Sequence, residues 1–189
     1  MLQEGDVWVF NLHQGGNLAS AGNYEFIESY NVRRVLPPQW NVSTGYELSW
    51  SRSEARTGET RKNNYRISRD LNTYARQNPA SPQYEARWLQ WPLESGRSWR
   101  FERPIAAGMQ VWEAKVQGWE DIEVPAGKFR TMRVDVHLIS NPNPLLTWQV
   151  SIWYSPEAKW FVKKTEFGVM EASVPIRRDT YELTSYQLH

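Results

Sequence analysis

Tyr24-Glu25-Phe26-Ile27-Glu28-Ser29-Tyr30-Asn31-Val32-Arg33-Arg34-Val35-Leu36 is the stretch that decides the fold. Its even positions read Tyr, Phe, Glu, Tyr, Val, Arg, Leu, and its odd positions Glu, Ile, Ser, Asn, Arg, Val. Side chains alternate between the two faces of a strand, so a period of two with one apolar set marks a half-buried strand rather than a helix. After Pro37-Pro38 the pattern resumes, with Trp40, Val42, Thr44, Tyr46, Leu48 and Trp50 on one side and Asn41, Ser43, Gly45, Glu47, Ser49 and Ser51 on the other. A hairpin around Leu36–Trp40 follows, with an unusual turn because of the two prolines.

The same reading extends in both directions. Val7-Trp8-Val9-Phe10 begins a strand almost at once. Ser51 to Arg69 is polar, with a turn at Thr57-Gly58-Glu59 and a weaker strand at Tyr65 and Ile67, and Asn78-Pro79-Ala80-Ser81-Pro82 is the strongest loop signal. Gln83–Leu89 fits a short helix or a strand equally well. From Val111 to Val124 the chain forms one long bent strand or two. There the apolar phase slips from Val111 to Trp112, Ala114 and Val116, which signals a bulge that Gly118 suits. Pro125-Ala126-Gly127-Lys128 turns the chain; Met132–Leu138, Trp148–Tyr154, Trp160–Phe167 and Tyr181–Leu188 each alternate again. The expected fold is all-β, an antiparallel meander of about ten strands forming a curved open sheet or half-open barrel. One domain is expected over residues 1–189, and a subdivision, if present, falls near residues 78–82.

Composition narrows the function classes. Eleven Trp, nine Tyr and six Phe stand beside no Cys, so thiol catalysis, disulfides and thiolate metal sites are excluded. A buried Trp of roughly 200 Å² removes enough apolar surface to hold a cysteine-free core together. Twenty-two basic and 21 acidic residues leave a net charge of +1, which argues against nucleic acid as a partner. No run approaches the roughly 18–20 apolar residues that a transmembrane helix needs, and mean hydropathy is -0.68. The segment from Met1 to Asp6 lacks a basic and an apolar export region, so an exported protein would carry its signal ahead of this sequence. Nucleophile-elbow, phosphate-loop, dinucleotide and calcium-loop patterns are missing, and no cofactor is expected.

Several phrases occur together: Trp91-Pro92-Leu93-Glu94-Ser95-Gly96-Arg97-Ser98-Trp99, Glu120-Asp121-Ile122-Glu123-Val124-Pro125-Ala126-Gly127-Lys128-Phe129, Trp153-Tyr154-Ser155-Pro156 and Glu182-Leu183-Thr184-Ser185-Tyr186. This succession, over roughly half the chain, resembles a family of uncharacterised bacterial cell-envelope proteins with PL-x-x-G-x-x-W, V-P-A-G-x-F, W-Y-x-P and E-L-x-x-Y motifs. Ile122 stands where such proteins often carry Val. The resemblance implies a curved open antiparallel sheet in the periplasm or lipid-anchored in the envelope, and it implies no catalytic residues.

The aromatics divide by phase. Trp40, Trp50, Trp148 and Tyr154 run with aliphatic neighbours and are expected in the core. Trp112, Trp119, Trp153, Trp88 and Trp91 fall on the other phase or near slips and turns, and are the candidate ligand-binding residues. They favour a non-catalytic envelope domain that binds an apolar ligand, a lipid, a glycan or an envelope protein. A second reading is a carbohydrate-active hydrolase in which Glu113 pairs with Glu120 or Glu123 beside Asp121, Trp112 and Trp119. A third is a purely structural module of an envelope assembly. His137 and Asp135 share a strand face, but two ligands are too few for a metal site.

Overall fold

The computed structural model describes residues 1–16, 23–37, 45–74, 85–170 and 174–189. Twelve strands are present among them: β1 (Val7–Gly15), β2 (Tyr24–Val35), β3 (Gly45–Glu54), β4 (Thr60–Ser68), β5 (Thr73–Tyr74), β6 (Glu85–Ala86), β7 (Ser98–Ile105), β8 (Gly108–Val124), β9 (Gly127–Ser140), β10 (Leu146–Ser155), β11 (Trp160–Met170) and β12 (Val174–Gln187). Apart from the two-residue β5 and β6, every strand is eight residues or longer. All join one antiparallel sheet in the order β6-β5-β4-β3-β2-β1-β12-β11-β10-β9-β8-β7. The all-β architecture read from the alternation is therefore what the chain adopts, as one open sheet. It is a meander cut at an unusual place, because the first strand pairs with the last in the middle of the sheet.

The β8–β9 hairpin shows how local sequence sets curvature. β8 is one strand of 17 residues, not two. Its register against β9 shifts at Val111/Trp112, where the apolar phase slips, and again at Val116/Gly118. Each extra residue bends and twists the strand. Gly118 takes φ +137, a backbone region that costs glycine little, and Gly127 does the same in the turn at φ +130.

The sheet curls until its two edges come close, and the link between β6 and β7 spans the gap. Asn72, just before β5, holds that link with both side-chain atoms: Nδ2 donates to Leu89 O (2.7 Å) and Oδ1 accepts from Leu89 N (2.8 Å). Trp99 on β7 reaches back to donate to Arg87 O at 2.7 Å. At the end of the sheet where β11 begins, the β8–β9 tip folds inward. Ala126 N donates to Leu183 O (2.9 Å), and the Phe129 and Tyr186 rings meet with centroids 5.9 Å apart.

The concave side holds the core. Trp8, Phe10, Leu12, Leu48, Ile67 and Leu183 are completely buried in one part; Phe101, Trp112, Val116, Val134, Val136 and Ile152 fill the other. Each such side chain contributes about 1.5–3 kcal/mol of burial. Trp8 stacks on Trp160 at 5.1 Å, and its ring nitrogen donates to Ala158 O at 2.7 Å.

Some expectations are adjusted. Within Gln83–Leu89, Glu85–Ala86 is a short strand paired with β5, and no helix forms among the described residues 85–89. Trp50, Trp148 and Tyr154 are half-buried rather than central. Trp40, the Asn41-Val42-Ser43 triplet and the Asn78–Pro82 loop lie outside the described residues.

Candidate functional site

Strand register builds a cavity on the concave side. Directly opposed residues share a face, so one inward row runs Val116, Val134, Ile152, Lys164, Tyr181, Leu12 across six strands. The next inward row runs Ala114, Val136, Val150, Glu166, Asp179, Gln14. Lys164 and Glu166 on β11, and Asp179 on β12, therefore occupy positions that β8, β9 and β10 fill with Ala, Val and Ile; Arg177 lies in the following row, beside Gly168 and Trp148. Between these walls lies a cavity of about 490 Å³, a size that suits a small-molecule ligand.

The cavity is graded along its length. Tyr30, Tyr65, Trp160 and Phe161 border it at the inner end, where Trp160 is 4% exposed and Tyr30 8%. Trp88, Trp112 and Ile152 line its middle. At the other end are Arg103, Leu146, Trp148 and Arg177, near the turns that join β7 to β8 and β9 to β10. Gly168 lets the Trp148 ring lie flat across β11, since a Cβ there would sit 2.6 Å from it. The Arg177 guanidinium then covers that ring at 5.7 Å.

The inward charges form a connected set. Lys164 Nζ lies 2.9 Å from Glu166 Oε1, Arg177 Nε lies 3.6 Å from Glu166 Oε2, and Arg177 also grips Asp179 at 2.6 Å. Burial alone would push the Glu166 carboxyl up, but the adjacent Lys164 and Arg177 outweigh it and hold the group below its ordinary value. Burial would likewise lower Lys164, yet Glu166 beside it and the Tyr181 ring 4.0 Å away raise it well above the usual lysine range. Asp179 is buried enough that desolvation prevails over Arg177 and raises it. Deeper in, Glu28 accepts from Tyr30 Oη at 2.6 Å and from Arg52. Desolvation, the neighbouring phenols and the Glu28 charge raise Tyr30 well above its ordinary value, and desolvation followed by Glu28 does the same to Tyr65.

The five tryptophans singled out from the sequence are not brought together. Trp88 and Trp112 meet edge to face at 5.4 Å on the cavity wall. Trp112 is 3% exposed and stacks parallel to Phe101 at 6.4 Å. Trp91 is partly exposed outside the cavity lining, standing edge-on to Tyr154 at 5.0 Å. Trp153 belongs to the outward row Gly118, Arg133, Trp153, Lys163, Glu182. Its ring nitrogen donates to Glu120, and Arg133 covers its face at 5.2 Å. Trp119, 49% exposed, lies under Arg130 and borders a separate hollow of about 180 Å³ with Glu120, Arg133 and Asp135.

Sequence reading missed the charged half of the cavity. Its signal was parity: Val162, Lys164, Glu166 and Gly168 share one strand face, as do Arg177, Asp179, Tyr181 and Leu183, so the charges continue an apolar face instead of opposing it. The carboxylates considered for hydrolysis lie elsewhere. Glu113 pairs with Arg100 (2.9 Å), Asp121 with Arg130 (3.2 Å) and Glu123 with Lys128 (3.9 Å). Seven residues of strand keep Glu113 and Glu120 roughly 20 Å apart, whereas a glycosidase pair works at about 5–9.5 Å. Asp135 is occupied by Ser151 Oγ at 2.7 Å and Arg133 Nε at 2.9 Å.

An open, curled antiparallel sheet around an aromatic cavity is thus the class to which this chain belongs. Among solved structures it is similar to a Bacteroides fragilis protein, provisionally described as exported, with a YmcC-like fold. Identity is 14%, the TM-score 0.53, and 98% of this chain and 97% of that one are covered. It is also similar to a Parabacteroides distasonis protein provisionally described as a lipoprotein, at 14% identity and a TM-score of 0.54 over 98% and 96% of the two chains. At that identity the likeness shows a shared fold. No protein-family model and no curated protein matches the chain.

Proposed function

We propose that this chain is a non-catalytic cell-envelope domain that binds a largely apolar small molecule on the concave side of its sheet. The observation that carries this reading is the cavity of about 490 Å³ between Trp88, Trp112, Trp148 and Ile152. A well-packed interior leaves few voids larger than a water molecule, so a space of this size inside an aromatic wall has the character of a binding site. Trp88 and Trp112 act in it; Trp119 and Trp153, on ground of mixed charge outside it, suit contact with another envelope component. One continuous sheet supports a single domain over the whole chain. Envelope placement is supported by the motif resemblance and by a fold shared with proteins provisionally described as exported or as a lipoprotein.

A neutral apolar dye that brightens in dry surroundings tests the cavity. It should bind saturably at one site per chain, accept excitation energy from tryptophan, and be expelled by Val150→Trp, which fills the space. Dye fluorescence that never saturates, or that Val150→Trp leaves unchanged in a folded protein, overturns the reading. Fractionation of cells producing the native protein tests the location: recovery with cytoplasmic markers alone counts against the envelope.

A further inference from the structure

The distribution of charge along the cavity identifies its occupant more closely. Glu166 faces Lys164 and Arg177 at 2.9 and 3.6 Å, and Asp179 takes the rest of Arg177 at 2.6 Å. Those four charges balance. Arg103 is the additional cation: it lines the cavity, is exposed, and acts on Glu166 through the field alone, with no ion pair within 4 Å or side-chain hydrogen bond among the described residues. It stands opposite Gln110 at the β7–β8 turn, at the end of the cavity where Arg177 also lies. The positive excess is thus confined to one end. Away from it the walls are Trp88, Trp112, Val150 and Ile152, and of the two hydroxyls at the inner end, Tyr30 and Tyr65, the first is already committed to Glu28.

We propose that the occupant is a single-chain anionic amphiphile, its apolar chain along Trp88, Trp112 and Ile152 and its carboxylate or phosphate head at Arg103, with Arg177 behind it. This rests on the cavity reading above. A guanidinium presents a fork of donors that matches either oxyanion. Arg103 meets the head where the cavity reaches solvent, so the chain alone need be desolvated.

Decanoate, decyl phosphate, decanol and decyltrimethylammonium share a tail and differ in head. Each is titrated at neutral pH, low salt and below micelle formation, with tryptophan fluorescence as the signal. Both anions should bind at least about tenfold more tightly than decanol and the cation, the worth of one charge-assisted hydrogen bond. Arg103→Glu should erase that margin, read against decanol on the same folded variant, and Arg103→Lys should keep most of it. Whichever anion binds more tightly identifies the head group. Decanol binding as tightly as the anions, or a margin that survives Arg103→Glu, overturns this proposal and leaves the apolar cavity standing. If none of the four binds, the cavity reading falls and this proposal with it.

Discussion

Replacing Lys164 with Met tests whether the cavity's inner charges are dry. Lys164 and Glu166 are 20% and 17% exposed and their charged atoms are 2.9 Å apart. At an effective dielectric of about 20 the attraction is roughly 6 kcal/mol before the cost of desolvating both groups. Removing one partner of a buried pair costs about 3–5 kcal/mol, because the other remains charged and unpaired. Arg177 still reaches Glu166 at 3.6 Å, so Lys164→Met should fall below that range, at about 2–3 kcal/mol. Glu166→Leu, which leaves Lys164 and Arg177 without the carboxylate between them, should cost about 3 kcal/mol. The double variant should cost about 3 kcal/mol, roughly half of what the two singles cost together, for a coupling of about 2–3 kcal/mol. Urea unfolding followed by tryptophan fluorescence supplies the values, read from midpoints at constant slope. Single variants that each cost under about 1 kcal/mol and simply add would refute the reasoning, since a water-screened pair behaves that way.

Titration gives a second check. The lowered Glu166 carboxyl contributes stability above its unfolded value, about 4.3, and that stability is lost as pH falls through the folded value. Wild-type protein should therefore lose more stability than Glu166→Gln on acidification below about pH 4.3; parallel melting curves would contradict this. At the alkaline end the raised Tyr30 and Tyr65 contribute stability that is present below about pH 10 and lost as pH rises through their folded values. Phenolate absorbance should consequently have a late component that coincides with unfolding. Gly45→Ala would place a Cβ 2.1 Å from the Ile67 carbonyl oxygen, and should destabilise by about 3 kcal/mol or more in chemical denaturation. Trp112→Ala should cost about 3–5 kcal/mol, and Trp119→Ala within about 0.5 kcal/mol; similar losses would contradict their separation into core and surface.

Much of the architecture was legible because strand alternation is a local property. The phase slip at Val111 and Trp112 and the glycine at position 118 even located the bulges in β8. Strand order was not legible: pairing of β1 with β12 depends on contacts between opposite ends of the chain, which no local pattern encodes. The candidate site was half legible for the same reason. Trp88 and Trp112 stood out as rings off the local phase, but Lys164, Glu166, Arg103 and Arg177 have ordinary surface chemistry until the register turns them inward. Trp153, singled out by the same phase argument, lies on the other face of the sheet. Its ring is accommodated outside by Glu120 and two cations, Arg133 and Lys163, all distant in sequence.

The pairing of β1 with β12 has a temporal side. Val7 lies opposite Gln187, and His189 N donates to Asp6 Oδ1 at 2.8 Å. A chain made or threaded from its N-terminus thus presents β1 with one bare edge until β12 has emerged. Closing so long a loop is slow, and a bare edge in the meantime invites pairing with other chains. Amides of β1 that bond to β12 should gain protection last in pulse-labelled hydrogen exchange, after those shared with β2. The central seam is the final joint to set, so loss of β12 would open the sheet at its middle rather than fray its margin.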